Sequence, residues 1–241
     1  MGINLEKEYL SEVLAQYEFP ADLLDVTRYG SGHINETYCI VCQPKEGDAV
    51  RFILQGLSKA AFPEPQKLMD NFVNITSFLQ KRIREEGGDY KREALMIIRT
   101  KDRKNYYTDR TGKVWRLVPF IEDTDCYQQA TTELFEESAR AFGRFQYLLR
   151  DYAAALLHET IKNFHNTEDR FQKFIAALKA DKCGRAKGVA AEIDFVLKRE
   201  ADCSVALNAQ REGKLSLRVT HNDTRLNNVL FDRDRKKQSV L

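Results

Sequence analysis

The sequence predicts an α+β fold in which a mostly antiparallel sheet comes first and helices follow. The first half of the chain contains short runs rich in β-branched and aromatic residues, separated by turns such as 44–48. The second half carries longer stretches with apolar residues at helical spacing, among them 131–151. With 241 residues, the chain is also long enough to bury a large core.

Composition and charge argue against several classes of protein. Hydrophobic residues make up 43% and charged residues 31% of the chain, and the net charge is +2. Because acids and bases are interspersed, we expect neither a nucleic-acid partner nor a membrane-binding patch. No stretch approaches the ~18 apolar residues of a membrane-spanning helix, and the acidic N-terminus lacks a signal-peptide pattern.

Five cysteines are scattered without framework spacing. Cys39 and Cys42 form a C-x-x-C, but it lies in a β-type run, where an odd separation places two side chains on opposite faces. They are therefore not expected to pair or to share a metal ion. All five are expected to be reduced thiols in a cytoplasmic protein.

The first half of the chain begins with an amphipathic helix over 4–19, which Pro20 ends. A loop with two glycines, 30–35, separates the first two strands, and a strong helix with an apolar stripe follows over 65–84. The strands predicted from β-type runs are 25–29, 36–43, 50–55, 94–99, 104–108 and 114–122.

The second half changes in character from strands to helices. We therefore expect two lobes, with residues 1–122 forming a sheet-rich lobe and residues 123–241 forming a helical one. Apolar residues recur at helical spacing in 131–151, 168–179 and 189–207.

A short polar loop between two β-prone segments carries the strongest functional signal. Residues 219–232 place His221, Asp223 and Asn228 in the pattern H-x-D-x-x-x-x-N. In phosphoryl transfer, an Asp at this position takes the proton of the acceptor hydroxyl, and the Asn holds Mg²⁺ on the nucleotide phosphates. An isolated H-x-D is more often a polar turn. The Asn at the kinase spacing favours a catalytic loop instead.

The loop between the first two predicted strands is a candidate phosphate-binding segment. It reads Gly30-Ser31-Gly32-His33-Ile34-Asn35. Glycine lets the backbone approach phosphates closely enough for N–H groups to bind them. The motif G-x-G-x-x-G is incomplete, because Asn35 stands where the third glycine would be. A plain hairpin explains the two glycines equally well, and the position ahead of a catalytic loop is what favours phosphate covering.

The third predicted strand lacks the lysine with which protein kinases grip the α- and β-phosphates. Gln55 stands at that position, and an amide donates hydrogen bonds without bringing a charge. Arg51 and Lys59 are the candidates to compensate. Asp70 on the following helix is a further candidate for the nucleotide site, although a solvent-exposed position is the more frequent fate of such a residue.

The last predicted strand ends in Pro119-Phe120-Ile121-Glu122, a segment called the hinge below. Here the sheet-rich lobe gives way to the helical one. In a two-lobed kinase, the backbone at this crossing binds adenine. A plain interdomain linker is the alternative, and the two interpretations are compatible.

Taken in order, the glycine loop, the acidic hinge, the long helix and the H-x-D-x-x-x-x-N loop resemble the aminoglycoside phosphotransferase and choline kinase superfamily. Its members are small-molecule kinases with a protein-kinase-like fold. Over essentially the whole chain, the sequence looks like the bacterial N-acetylhexosamine 1-kinases, which also tolerate glutamine at the third-strand lysine position. The strings that carry this likeness are 29–38, 52–56, 164–167 and, most specifically, 219–229.

This resemblance implies ATP- and Mg²⁺-dependent phosphorylation of the anomeric hydroxyl of N-acetylglucosamine or N-acetylgalactosamine. Asp223 would be the base and Asn228 a metal ligand, with 30–35 over the phosphates and the hinge against adenine. Arg225 would contact the transferring phosphoryl group, and a salt bridge that stiffens the loop is the alternative.

For the sugar, the resemblance offers four candidate residues of lower specificity. A helix cap at Thr167, with Arg170 in the first turn, is an equal alternative for them. The candidates are His165, Asn166, Thr167 and Arg170.

Kinases of this fold carry an Asp after a second strand beyond the catalytic loop, where it bridges the phosphates to Mg²⁺. No such Asp follows in this sequence, because Asp232 and Asp234 lie too close to the loop. We therefore expect an incomplete helical lobe, exposed apolar surface and an inactive fragment of a longer kinase. The alternatives are a kinase for choline, homoserine or an aminoglycoside, and a non-catalytic nucleotide-binding protein. The expected partner is a small-molecule substrate.

Overall fold

The computed structural model describes residues 2–18, 21–30, 34–234 and 238–240. The chain divides into two compact units. The first comprises Met1–Thr160 together with Val219–Leu241, and the second comprises Ile161–Arg218. The division predicted after Glu122 stays a prediction.

The first unit contains a five-stranded antiparallel sheet with the strand order β1-β2-β3-β5-β4. Three of the six predicted strands are therefore present at full or nearly full length, and the two predicted over 104–108 and 114–122 are shorter than predicted. The strands are β1 (Ala21–Arg28), β2 (Glu36–Pro44), β3 (Val50–Gly56), β4 (Tyr107–Thr108) and β5 (Val114–Pro119).

The strand predicted over 94–99 is wrong. This segment forms no strand, and its pairing with the sheet is the isolated bridge between Ile98 and Leu117 of β5. The chain then turns away, because Thr100 bridges to Tyr17 instead.

The helix α1 (Gly2–Leu14) covers one face of the sheet. Side chains alternate between the faces of a strand, so every second residue of β3 and β5 reaches this helix. The Tyr17 hydroxyl, just beyond α1, donates a hydrogen bond of 2.6 Å to the Trp115 carbonyl. The buried core of this face contains Leu10, Val13, Leu14, Tyr17, Tyr38, Ile40, Cys42, Leu54, Trp115 and Leu117.

The helix α2 (Pro65–Glu85) packs against the other set of strand residues. Pro65 lies in its first turn, where the missing N–H costs nothing. Met69 is buried with Val114 of β5, and Ile83 is buried further along the helix. This helix agrees with the predicted range, and the short α3 (Tyr90–Glu93) follows it.

A second, three-stranded sheet links the hinge to the end of the chain, with the order β6-β7-β8. The long helix α4 (Thr132–Leu148) lies between β6 and β7 in sequence and begins at Thr131, whose hydroxyl accepts a hydrogen bond from Leu134 N. The strands are β6 (Thr124–Asp125), β7 (Leu230–Asp232) and β8 (Gln238–Val240).

The second unit is helical, with α5 (Thr167–Ala180), α6 (Ala190–Leu197) and α7 (Val205–Arg211). The single helix predicted over 189–207 is wrong. The charged run 198–202 interrupts the apolar stripe, and a 3₁₀ helix, Glu200–Ser204, separates α6 from α7. Several large apolar side chains of this unit are exposed, as expected. They are Phe164, Val189, Phe195, Leu197, Val205, Leu215 and Leu217.

All five cysteines are free. Cys39 and Cys42 are both buried in β2, and only Cys42 belongs to the core beneath α1. Across the described residues, none of the helices combines the length and the apolar composition that crossing a bilayer requires. The predicted α+β class, an antiparallel sheet followed by helices, is confirmed.

Candidate active site

The predicted catalytic loop begins outside any strand and ends in one. Strands were expected on both sides, but the described segment 216–221 forms none. Val219 is instead buried among helical residues such as Ile83 and Leu148. After the loop, Val229 and Phe231 are fully buried and lead into β7.

His221 is directed into the protein rather than toward solvent. Its ring lies edge-on to Phe142 and Phe145 of α4, with centroid distances of 5.4 and 5.7 Å. Burial lowers the pKa of His221, although the nearby Asp223 opposes the shift. Its buried Nδ1 has no hydrogen-bond partner among the described residues. The lowered pKa favours the neutral form of the ring, which packs against α4, and a catalytic role for His221 stays a prediction.

Asn222 explains how His221 and Asp223 come to face different ways. Its backbone φ is 66°, in the left-handed region that Asn tolerates better than most residues. The Thr220 hydroxyl donates a hydrogen bond of 2.6 Å to Asn222 Oδ1. This kink turns the chain so that the histidine is half-buried and the Asp223 carboxylate is exposed.

Asp223 and Arg225 form a bidentate ion pair. Arg225 Nε lies 2.7 Å from Oδ1 of the carboxylate, and Nη2 lies 2.8 Å from Oδ2. The hydrogen bonds from Arg225 hold the pKa of Asp223 below its usual value. The Arg225 side chain is 65% exposed and the Asp223 side chain is 46% exposed. The salt bridge that was one alternative for Arg225 is thus present, and the catalytic roles of both residues stay predictions.

Asn228 closes the loop from its other end. Its Nδ2 donates a hydrogen bond of 2.7 Å to the Asp223 backbone carbonyl. This bond fixes the amide plane and leaves Oδ1 as the oxygen that suits a hard cation. The described residues contain no group of three His, Cys, Asp or Glu side chains that could hold a metal ion.

The hinge is built around Phe120. Pro119 ends β5, and Phe120 N donates a hydrogen bond of 3.0 Å to the Arg51 carbonyl. The Arg51 guanidinium stacks on the Phe120 ring at 3.9 Å, while Tyr29 meets the same ring edge-on. Arg51 also forms an ion pair with Glu122. Because its charge is matched in this way, Arg51 is a poor substitute for the missing lysine.

Successive carbonyls at the hinge already accept hydrogen bonds. Ile121 O accepts one of 2.8 Å from the Thr124 hydroxyl, and Glu122 O accepts one of 2.9 Å from Arg92 Nη1. Asp123 O accepts from Arg92 Nη2 at 3.3 Å. A carbonyl oxygen has two lone pairs. The Ile121 and Glu122 oxygens therefore each retain one acceptor site for a purine amine, whereas Asp123 O also accepts a hydrogen bond of 2.9 Å from Arg233 N.

The hinge and the catalytic loop are joined by strand pairing. Thr124 and Asp125 of β6 pair with Asp232 and Phe231 of β7, respectively. Arg92, which holds the hinge carbonyls, also contacts the Asp232 carboxylate at 3.2 Å. The predicted adenine-binding backbone is thus tied directly to the strand that follows Asn228.

The structure describes the glycine loop at Gly30 and at residues 34–35. Gly30 has a φ of +77°, which favours glycine. Asn35 Oδ1 accepts a hydrogen bond of 2.9 Å from Ser58 N and so ties the loop to the segment after β3. Ser31, Gly32 and His33, which were predicted to cover phosphates, lie outside the described residues.

Gln55 is hydrogen-bonded to Arg116, a residue that the sequence analysis did not identify as functional. Its Oε1 accepts hydrogen bonds from Arg116 Nε and Nη2 at 3.0 and 2.6 Å. The candidate Lys59 is exposed. Asp70 is 60% exposed and lies 3.8 Å from His158, in line with the solvated alternative. In the sequence, the only feature that could have pointed to Arg116 is its position between the buried apolar residues of β5.

The four sugar candidates lie in the second unit. Asn166, rather than Thr167, caps α5, because its Oδ1 accepts a hydrogen bond of 3.0 Å from Asp169 N. Arg170 donates through Nε to the Phe164 carbonyl at 2.9 Å. The expected cap is thus present but one residue earlier than predicted. Roles for these residues in sugar binding stay predictions.

Two solved structures are similar to this chain over 97% of its length, at TM-scores of 0.46. One is a spectinomycin phosphotransferase, APH(9)-Ia, in complex with ADP and spectinomycin, at 12% identity and 67% of its own length. The other is the apo form of a thermostable mutant of the aminoglycoside phosphotransferase APH(4)-Ia, at 10% identity and 69% of its length. Similarity this low supports no argument about substrate.

A family match is more informative than either structure. Residues 93–241, which are more than half of the 241-residue chain, match the APH phosphotransferase enzyme family. The matched range contains the hinge, α4 and the whole catalytic loop. The chain belongs to the APH phosphotransferase enzyme family.

Proposed function

We propose that the protein transfers the γ-phosphoryl group of ATP to the anomeric hydroxyl of N-acetylglucosamine or N-acetylgalactosamine. The observation that carries the kinase part of this proposal is the pairing of β6 with β7. It fastens the hinge to the loop that bears Asp223 and Asn228, inside the range that matches the phosphotransferase family. The sugar part rests on the resemblance of the strings 29–38, 52–56, 164–167 and 219–229 to N-acetylhexosamine 1-kinases.

In this proposal Asp223 accepts the proton of the attacking hydroxyl. It must first free a carboxylate oxygen from Arg225. An ion pair this exposed is weak, so a competing contact easily separates the two. Arg225 then contacts the transferring phosphoryl group, for which a guanidinium provides bidentate hydrogen bonds. His221 keeps the loop in place by packing on α4.

Asn228 is the proposed ligand of Mg²⁺. When bound, the ion neutralises charge on the phosphates and orients them for transfer. The hydrogen bond from Asn228 to the Asp223 carbonyl keeps the metal-binding amide and the base at a fixed separation. The backbone of 30–35 is proposed to cover the phosphates, and the hinge to bind adenine.

The acceptor is tested by ³¹P NMR of the complete gene product with ATP, Mg²⁺ and N-acetylglucosamine. We expect a new resonance of a sugar 1-phosphate, and repeating the reaction with N-acetylgalactosamine gives the epimer preference. ATP that is hydrolysed without a sugar ester would overturn the acceptor and direct the search to choline, homoserine and aminoglycosides. ATP that stays intact with every acceptor would support a non-catalytic nucleotide-binding protein.

Replacing Asn228 with Ala should raise the Mg²⁺ concentration that gives half-maximal activity by about tenfold or more, as loss of a metal-site group does. A titration of activity against Mg²⁺ at saturating ATP measures this change. Asn227→Ala is the matched control, because Asn227 is adjacent and its amide contacts Gln128 at 3.4 Å. An unchanged Mg²⁺ requirement in Asn228→Ala would remove the metal role.

A further inference from the structure

The strand register places an arginine beside the position where kinases carry their phosphate-binding lysine. Gln55 of β3 is directly opposite Arg116 of β5. Residues paired in this way project from the same face of a sheet. The neighbouring pair Leu54 and Leu117 is buried beneath α1, so Gln55 and Arg116 project from the opposite face.

Gln55 positions the guanidinium of Arg116 by hydrogen bonding. Its Oε1 accepts both hydrogen bonds from Arg116, and its Nε2 donates one of 3.0 Å to the Thr37 hydroxyl of β2. A lysine at position 55 would repel Arg116, whereas the neutral amide orients it and leaves its charge unmatched. A guanidinium carries further N–H donors beyond the two that Gln55 uses.

The row formed by Thr37, Gln55 and Arg116 lies at the end of the sheet nearest the glycine loop. Thr37 follows Asn35 by two residues. Asn35 is itself tied to Ser58, three residues beyond Gln55, by a hydrogen bond of 2.9 Å. The guanidinium therefore belongs to the same edge of the sheet as the segment that is proposed to cover phosphates.

No carboxylate in the described part of the chain forms an ion pair with Arg116. Its guanidinium instead lies over the Phe72 ring of α2 at 4.3 Å. Asp70 on the same helix faces His158. Burial lowers the pKa of Arg116 to about 10, so the side chain is still charged at neutral pH. A half-buried cation without a carboxylate partner is costly, and an anionic ligand would offset that cost.

We propose that Arg116, held by Gln55, binds the α- and β-phosphates of the nucleotide in place of a third-strand lysine. This inference rests on the proposed kinase function. In this inference, the positive charge that β3 lacks at Gln55 is supplied by Arg116 on the adjacent strand, β5. Arg116 supplies two-pronged hydrogen bonding to phosphate oxygens, which a lysine cannot provide.

The test compares the binding of ADP with that of adenosine, both by calorimetry, in the complete gene product. Arg116→Gln should bind ADP about 10- to 100-fold more weakly, as expected for the loss of a charge-assisted bond, while adenosine binding stays within about twofold. Arg116→Lys should recover most of the ADP affinity. Arg99→Gln, which removes an exposed arginine of the same unit, is the control.

The outcomes separate this inference from the proposed function. If the unaltered protein binds ADP and Arg116→Gln binds it equally well, Arg116 has no phosphate role although the kinase proposal stands. If the unaltered protein binds no ADP, both fall. A parallel loss of ADP and adenosine affinity would make Arg116 a structural residue and overturn the inference.

A measurement on the unaltered protein covers the case in which Arg116→Gln does not fold. Butanedione modifies arginine side chains, and mass spectrometry of the peptides reports the extent at each position. We expect ADP, but not adenosine, to slow modification of Arg116 by about tenfold relative to Arg99. Equal modification of Arg116 with and without ADP would overturn the inference.

Discussion

Replacing Asp223 with Asn lowers kcat of the complete gene product by about 10²–10⁴-fold, with a much smaller change in the KM for the sugar. The amide has nearly the shape of the carboxylate but cannot accept the proton. Folding is expected to be unaffected, because an ion pair as exposed as that with Arg225 contributes little to stability. Steady-state measurement of ADP release gives kcat and KM, and the melting temperature of each variant reports whether it folds normally.

Asp22→Asn is the matched control, since Asp22 is an exposed carboxylate on β1 of the same unit. It should retain the kcat of the unaltered protein. Because Arg225 holds the pKa of Asp223 below its usual value, the fall of kcat/KM in acid should lie below about pH 4. An Asp223→Asn enzyme with an unchanged kcat would exclude Asp223 as the base.

Replacing Asp109 with Ala lowers the free energy of unfolding by about 2–5 kcal/mol. This carboxylate is only 7% exposed. One oxygen accepts hydrogen bonds from Thr111 N at 2.7 Å, the Thr111 hydroxyl at 2.6 Å and Lys113 N at 3.1 Å. The other accepts from Trp115 Nε1 at 2.7 Å and from the Tyr9 hydroxyl. Alanine leaves these donors, of which Trp115 is fully buried, without their acceptor, and urea denaturation measures the loss.

The same carboxylate predicts how stability depends on pH. Burial alone would raise the pKa of Asp109, but the hydrogen bonds from Thr111, Tyr9 and Trp115 outweigh it and hold the pKa well below the usual range. Its contribution is therefore complete above the unfolded-state pKa of about 4 and is lost as the pH falls toward the folded value. Asp109→Asn should be less acid-sensitive than the unaltered protein, whereas Asp48→Asn, in an exposed turn, should match it. Equal acid sensitivity of Asp109→Asn and the unaltered protein would contradict this account.

Periodic elements were predictable because each is decided by nearby residues. The helix α2 needs only its apolar stripe and Pro65, and its bounds agree with the expectation to within one residue. The spacing of Asp223 and Asn228 is likewise local, which is why the loop could be found in the sequence. The bounds predicted for the helix over 189–207 were wrong, because the charged run 198–202 interrupts its apolar stripe.

Other features depend on register and packing, which a single sequence does not display. Arg116 meets Gln55 only because β3 and β5 pair in one particular register. The inward position of His221 depends on two phenylalanines of α4, remote in sequence. Val219 resembled a strand residue because burial among helices selects the same apolar side chains as burial in a sheet.

The pairing of β6 with β7 also has a consequence for dynamics. Backbone hydrogen bonds of one ladder break together, so the segment after the hinge and the strand after the catalytic loop form one cooperative opening unit. Arg92 strengthens this unit, since it contacts the carbonyl of Glu122 and the side chain of Asp232. A nucleotide that orders the hinge would therefore slow amide hydrogen exchange in β7 without touching that strand.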